Sequence, residues 1–374
     1  MMPWSGNGSP SSPTSRSNDI MLSLPMGYPI LMKERPMRGG VALARRQLRS
    51  LAANEVLVRI SRAAICGTDL HIIGWNAWAA KSYKPPFALG HEFSGIVIDR
   101  GNGVHDIKTG DKVAAETHLP CGHCSQCAAD RGHTCLNLRV FSRLDCGAFA
   151  EYAIVPSKLL RVLPADLHHK YACLMEPLGI GVRAVRESQA RSGQLLVVGC
   201  GPIGLLAIAA AKATGTTRII AADLSQHRLQ LAQSVGADTL IDSSAGDANE
   251  RLMRLSPNDD GVDAAIDTSG NQVGIASALA AIRPGGTLLL AGLPNGNISL
   301  DLSRHVILRE IAVRGIYGRH LRTTWQDTID LLPVLIPALD RIVTHEFLLH
   351  EYEAAFDIAT SGQAGKVQFV INPD

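Results

Sequence analysis

The chain is expected to be an α/β protein in which a β-rich first part is followed by a doubly wound parallel sheet, and three observations predict this. Short β-branched runs separated by Gly, Pro and Asp fill the stretch from about Met32 to Val182. From Gln194 onward strands alternate with helices, as in a βαβ series. A G-x-G-x-x-G run sits at the first strand-to-helix turn of that series. The 374 residues, 46% hydrophobic and 19% charged, suit two globular domains and not a disordered chain.

Taken in order, the elements begin after a biased tail. From Ser5 to Asn18 every residue except Arg16 is Ser, Gly, Asn, Pro or Thr, too polar to bury a core, so residues 1–31 are expected to be disordered and carry no function. A start placed too far upstream explains the tail equally well, since Met21, Met26 and Met32 lie nearer the first strand-like run, Glu55–Ser61. Gly95–Asp99 and Lys112–Ala115 read as further strands of the first domain, with its motifs on loops. The second part reads as strand Leu195–Val198, helix Ile203–Ala213, strand Arg218–Ala222, helix Ser225–Val235 and strand Thr239–Ile241. Strands near Ala264–Asp267, Thr287–Ala291 and Ala312–Tyr317 close the series, and a helix around Thr324–Leu332 and a strand Lys366–Ile371 are expected to return to the first domain.

Composition excludes several classes. The 36 basic residues nearly cancel the 34 acidic ones and form no one-sided cluster, which argues against a nucleic-acid partner. Leu195–Ala213 is long enough to span a bilayer, but Gly199, Gly201, Pro202 and Gly204 break it as a strand, turn and helix would, so no membrane partner is expected. The eight cysteines are too few for a disulfide scaffold, and four of them crowd between Cys121 and Cys135, a pattern of metal binding. No secretory signal is recognisable, so a reducing cytoplasm is the expected compartment.

Three constellations carry chemistry. Cys121, Cys124 and Cys127, followed after seven residues by Cys135, offer four thiolates on one loop, enough for a closed tetrahedral zinc site that braces the loop and does no chemistry. Four unrelated buried thiols are the bland alternative, but such thiols have no reason to recur at two-residue gaps. In Gly199-Cys-Gly201-Pro202-Ile203-Gly204 the glycines permit a tight turn and close approach of a pyrophosphate to a helix N-terminus. Asp223, nineteen residues after Gly204, is placed to accept from both ribose hydroxyls and to repel a 2′-phosphate, which favours NAD over NADP. Arg228, on the following helix, is counted with these cofactor-binding residues. A glycine-rich turn that binds some other ligand is the alternative.

The third constellation is scattered: Cys66-Gly-Thr68-Asp-Leu-His71, then Gly90-His91-Glu92, then Glu176-Pro177. A thiolate, an imidazole and one or two carboxylates can hold a zinc and leave a position for water or substrate. Each alone has a structural reading: a small core residue, a hydrogen-bonded core histidine, a helix-start carboxylate. Together with a dinucleotide site and a structural zinc loop they supply a reaction centre.

Gly90-His91-Glu92, the four-cysteine loop and Gly199–Gly204 resemble the zinc-dependent medium-chain dehydrogenase/reductase family, over nearly everything from Met32 to the C-terminus. Within it, Cys66-Gly-Thr-Asp-Leu-His71 running on to Trp75-Asn-Ala-Trp78, Gly315-Ile-Tyr-Gly-Arg319 and Ser361-Gly-Gln-Ala-Gly-Lys366 are similar to the threonine dehydrogenases. The resemblance implies a groES-like catalytic domain (residues 32–181 and 319–374), a Rossmann coenzyme domain (182–318), two zincs per subunit, NAD, and a homotetramer or dimer. By position it implies Cys66, His91 and Glu176 as catalytic zinc ligands, Glu92 able to enter or leave the shell, and Thr68 and His71 as proton relay and hydroxyl-orienting pair. The sequence departs from the threonine enzymes where Ile180 replaces their usual Asn, a stretch that also resembles sorbitol-type dehydrogenases, and in Phe141-Ser-Arg-Leu-Asp-Cys146-Gly.

The expected reaction is oxidation of a secondary alcohol: L-threonine to 2-amino-3-oxobutanoate, or alternatively a polyol or cyclic alcohol. A non-catalytic nucleotide-binding protein is the remaining reading. Arg319 is expected to touch cofactor or a neighbouring subunit, or to be an exposed structural arginine, and Trp75 and Trp78 to line the cleft near His71 or to pack in the core. His118, His123, His133, Cys146, Cys173 and Cys200 are read as structural.

Overall fold

The structure is a computed structural model that describes residues 27–144, 146–190, 193–254, 260–294 and 296–373. The tail expectation for residues 1–26, with Met21 and Met26, and Asp145 of the Phe141–Gly147 segment lie outside the described residues. Residues 27–31 depart from that expectation: a strand already runs over Tyr28–Lys33 and pairs antiparallel with Val41–Arg46. Its buried positions pack the Tyr28 and Ile30 side chains against Leu57 and Tyr152, and that packing, invisible in a composition count, fixes the start.

The first sheet runs Leu160–Val162, Lys112–Ala115, Glu92–Arg100, Glu55–Ala64, Lys366–Val370 and Val343–Leu348, with Tyr152–Pro156 also on Glu55–Ala64. Strands Val343–Leu348 and Lys366–Val370 thus return to the first part of the chain, because Gln368 pairs with Ala64 and Val370 with Arg62 in an antiparallel ladder. Alternation places Val56, Val58 and Ile60 in the core.

The second sheet has six parallel strands in the order Thr239–Asp242, Arg218–Asp223, Gln194–Val198, Val262–Asp267, Ile282–Leu290 and Ala312–Gly315. Numbered along the chain this is 3-2-1-4-5-6, the doubly wound order, whose crevice opens at the carboxyl ends of the two central strands. Helices Met175–Ser188, Pro202–Ala213 and Thr323–Ile342 pack together on one face. Gly181 permits the first contact, since a Cβ there would lie 2.8 Å from the Ala207 backbone nitrogen. The last helix runs ten residues beyond the Leu332 end read from the sequence, carrying Pro333 and Pro337 within it. Leu335, Leu339 and Ile342 continue its buried stripe, and that burial outweighs the proline interruptions. Among the described residues no helix is long and apolar enough to cross a membrane.

Candidate active site

Cys66 ends in extended backbone as the N-cap of helix Gly67–Gly74, and Asp69 reaches back so that its Oδ2 accepts from the Cys66 N–H at 2.9 Å. This reciprocal cap fixes the direction in which Cys66 presents its sulfur. Thr68 and His71 follow three residues apart, on one face of the same helix. His91 and Glu92 are delivered by Gly90, whose φ of +85° and lack of Cβ allow the chain to pass Phe149, where a Cβ would meet the ring at 2.5 Å.

These elements bring Cys66, His91 and Glu92 together, one ligand atom of each lying within 4.8 Å of the others. His91 and Glu92 are buried, and His91 Nδ1 and Glu92 Oε1 have no hydrogen-bond partner among the described residues. Asp69 Oδ1 stands 3.5 Å from His91 Nδ1, the position from which a carboxylate orients a metal-binding imidazole. Glu92 Oε2 meets Lys366 Nζ at 2.5 Å, both groups being buried. Burial lowers the pKa of His91, but the neighbouring Asp69 and Cys66 outweigh it and hold the ring well above its ordinary value. Burial pushes Glu92 up, with Lys366 opposing. A soft sulfur, an imidazole turned by Asp69 and a carboxylate whose buried Oε1 is unsatisfied converge here, and the set fits zinc.

Glu176 is not part of that compact group. It begins helix Met175–Ser188 as expected, but its Oε1 accepts from Thr117 Oγ1 at 2.8 Å and pairs with Arg319 Nη1 at 2.9 Å. Arg319 is not exposed, in contrast to one sequence-based expectation: it is fully buried and makes a bidentate pair with Glu116 at 2.9 and 2.6 Å. Trp325 Nε1 donates to the same Glu116 carboxylate at 2.8 Å, and His118 Nδ1 lies 3.0 Å from it. Burial raises the Glu116 pKa, yet Arg319 and His118 more than reverse that and hold it well below the carboxylate range. Sequence reasoning missed Asp69, Glu116 and Lys366. Only Asp69 left a local signal, its position three residues after the N-cap.

The two tryptophans divide. Trp75 is half-buried in the first core with Lys33 Nζ 5.0 Å from its ring centre, whereas Trp78 remains exposed, its ring 6.3 Å from that of His71. Ile180 packs against the helical core of the second sheet.

Cys121, Cys124, Cys127 and Cys135 also converge, their sulfurs mutually within 4.8 Å. Sulfur separations of 3.5, 3.8 and 4.0 Å straddle the ~3.8 Å edge of a tetrahedron with ~2.3 Å zinc–sulfur bonds. All four thiols are free, so the loop fits a closed metal site.

A cleft of about 780 Å³ opens at the carboxyl ends of the parallel strands and is lined by Gly199, Gly201, Asp223, Arg228 and Thr268 among others. Gly199 has φ +88°, and a Cβ on Gly204 would strike the Gly199 carbonyl at 1.9 Å, so the protein's own packing demands both glycines. A Cβ on Gly201 would meet nothing within 4 Å, which leaves close approach of a ligand as the reason for glycine there. Pro202 and Ile203 open the helix. Asp223, at the end of its strand, accepts from the Cys200 and Ser225 N–H groups at 2.6 and 2.8 Å, which ties the glycine turn to the next strand. The buried Arg228 Nε has no partner among the described residues. The cradle fits a dinucleotide.

Two family models match the chain: alcohol dehydrogenase GroES-like domain over residues 52–165 and zinc-binding dehydrogenase over residues 202–333. An L-threonine 3-dehydrogenase from Bacillus subtilis (strain 168) is 38% identical over 328 residues, 88% of this chain and 94% of that one. Among solved structures, galactitol-1-phosphate dehydrogenase from Escherichia coli superposes with a TM-score of 0.84 at 27% identity, covering 91% of this chain and 99% of that one. A zinc-binding dehydrogenase from Sinorhizobium meliloti 1021 bound to NADP gives 0.83 at 27% identity, over 92% and 99%.

Proposed function

Because the chain belongs to the zinc-dependent medium-chain dehydrogenase/reductase family, and so is an oxidoreductase acting on CH–OH groups with zinc and NAD as cofactors, we propose that it oxidises L-threonine to 2-amino-3-oxobutanoate. The observation that carries the chemistry is the sulfur, imidazole and carboxylate cluster at the head of the helix bearing Thr68 and His71. The choice of substrate follows the L-threonine 3-dehydrogenase relatives, which span most of the chain.

Cys66, His91 and Glu92 would hold the catalytic zinc, and Glu176, whose Oε1 is held by Arg319 and Thr117, would have only its Oε2 to add to them. When bound, zinc supplies Lewis-acid polarisation of the substrate hydroxyl, and NAD accepts a hydride from the carbinol carbon. The hydroxyl proton goes to water by way of the Thr68 hydroxyl and the His71 imidazole. Burial lowers the His71 pKa, which keeps the ring neutral and able to take that proton at neutral pH. The glycine turn and helix Pro202–Ala213 receive the pyrophosphate, and Asp223 receives the adenine ribose and disfavours a 2′-phosphate. Cys121, Cys124, Cys127 and Cys135 hold a second, structural zinc.

We further propose that residues 32–181 and 319–374 act as the catalytic domain and 182–318 as the coenzyme domain, with the Tyr28–Lys33 strand belonging to the first. Homotetramer assembly, a dimer being the alternative, and a cytoplasmic location complete the reading. A polyol substrate is the second reading, favoured by the likeness to galactitol-1-phosphate dehydrogenase. NADH formation by the zinc-loaded enzyme against L-threonine, sorbitol, galactitol 1-phosphate and simple secondary alcohols separates them. Selective turnover of L-threonine supports the proposal, and turnover of polyols alone overturns its substrate.

A further inference from the structure

We propose that Arg143 is a specificity-determining residue that receives an anionic group, carboxylate or phosphate, carried by the alcohol substrate. The inference rests on reading the cleft beside Cys66, His91 and Glu92 as the place where the alcohol is oxidised. Arg143 ends the short turn Phe141–Arg143, in a segment tied at both ends to the borders of that site. At one end the Phe141 N–H donates to the carbonyl of Thr117 at 2.8 Å, the residue whose hydroxyl holds Glu176. At the other the Ala148 N–H donates to the Gly90 carbonyl at 3.1 Å, one residue before His91. The segment thus runs from the Glu176 side of the centre to the His91 side.

The arginine stands at the end of an aromatic wall. Tyr83, buried at the end of helix Ala77–Ser82, brings its hydroxyl to 2.8 Å from Ser142 Oγ, and the Arg143 guanidinium lies over its ring, 5.4 Å from the centre. From Tyr83 the rings run to Trp78 at 5.6 Å and on to His71 at 6.3 Å, so the same wall carries the imidazole that handles the substrate proton. Tyr317, half-exposed after the last parallel strand, feels the charge as well: burial raises its phenol pKa and Arg143 opposes the rise. Stacking on Tyr83 uses the face of the guanidinium and leaves the N–H groups at its edge. Arg143 is exposed, and among the described residues no hydrogen bond or ion pair takes up those groups. A planar fork of donors, held by a buried ring with its edge open, matches two oxygens of a carboxylate or phosphate. A neutral polyol offers it no such partner.

The test sets each anionic alcohol against a neutral counterpart: L-threonine against L-threonine amide, and galactitol 1-phosphate against galactitol. Affinities are read by calorimetric titration into the zinc-loaded full chain saturated with NADH, which cannot accept a hydride, for the wild type, Arg143→Met and Arg143→Lys. Met keeps most of the stem on Tyr83 and removes the charge, and at an exposed position neither change should move the thermal midpoint. The wild type should bind at least one anionic member roughly tenfold or more tightly than its neutral counterpart, Arg143→Met should lose that preference, and Arg143→Lys should keep part of it. A preference confined to L-threonine assigns the carboxylate, and one confined to galactitol 1-phosphate assigns the phosphate. Wild-type binding of neither anion, equal affinity within both pairs, or a preference that survives in Arg143→Met overturns the proposal. Turnover decides the substrate reading separately: an Arg143-dependent preference for galactitol 1-phosphate without oxidation of L-threonine removes threonine and leaves the role of Arg143 standing.

Discussion

Replacing Arg319 by Met removes the charge while keeping most of the stem that lies against Gly179, where a Cβ would meet the arginine Cδ at 2.5 Å. The substitution leaves Glu116, buried with its side chain 1% exposed, without its bidentate partner, and strips Glu176 of an ion pair at 2.9 Å. Breaking a buried pair from one side costs about 3–5 kcal/mol, since the surviving charge stays desolvated. That corresponds to a fall in thermal midpoint on the order of 10 °C, measured on zinc-loaded protein at a fixed scan rate. Adding Glu116→Gln should recover part of the loss, because the amide oxygen still accepts from Trp325 and the Glu116 charge no longer stands buried without its partner, whereas Glu176 stays without its ion pair. The pair also fixes a pH dependence. The folded pKa of Glu116 lies below that of an unfolded carboxyl, ~4.3, so its stabilisation is complete above that value and is lost as pH falls through the folded pKa. The double variant should therefore lose less stability on acidification than the wild type. A single-variant loss under about 1 kcal/mol, or losses that simply add in the double variant, would refute the reasoning.

Further outcomes follow from the zinc loop and the cofactor cradle. Cys127→Ser should lose one zinc equivalent and lower the thermal midpoint, read by metal analysis alongside calorimetry, because three thiolates no longer close the tetrahedron. Asp223→Ala should raise KM for NAD by roughly ten- to a hundredfold, the scale of about 1.5–3 kcal/mol for hydrogen bonds to a charged group, and should gain relative use of NADP. An unchanged NAD-to-NADP ratio would remove Asp223 from its assigned role. Lys366→Met should leave Glu92 buried without its cation, so catalytic zinc affinity should change while the zinc of the cysteine loop is retained, as metal titration would report.

The features legible in the sequence were those whose geometry is local. Two-residue cysteine gaps bring four sulfurs together on one loop, and a strand-glycine-helix run sets glycines at the mouth of a cleft, so both arrangements arise locally with little dependence on the rest of the chain. His91 and Glu92 could be named from the short Gly-His-Glu run, but their partners could not. Lys366 reaches Glu92 through strand pairing from the far end of the chain, and Arg319 meets Glu116 across 203 positions. Buried ion pairs of this kind have no sequence period to reveal them. Glu176 shows the converse, for a residue-by-residue resemblance gives it a ligand's place while its Oε1 is engaged by Thr117 and Arg319 and it lies outside the compact cluster of Cys66, His91 and Glu92. The full length of helix Thr323–Ile342 is not legible in the sequence because Pro333 and Pro337 are local breakers, whereas Leu335 and Leu339 are held by tertiary burial. Ile180, where the sequence departs from the threonine enzymes, is partly buried against the helical core.

The most direct test of a catalytic metal centre separate from the structural one is Cys66→Ser, with zinc content, NAD binding and NADH formation from L-threonine measured on one preparation. The expected protein keeps its thermal midpoint and NAD affinity, retains the zinc of Cys121, Cys124, Cys127 and Cys135, loses the other zinc, and makes no NADH. A Cys66→Ser protein that holds both zincs and turns over at the wild-type rate would contradict the assignment of Cys66, His91 and Glu92 to the reaction centre.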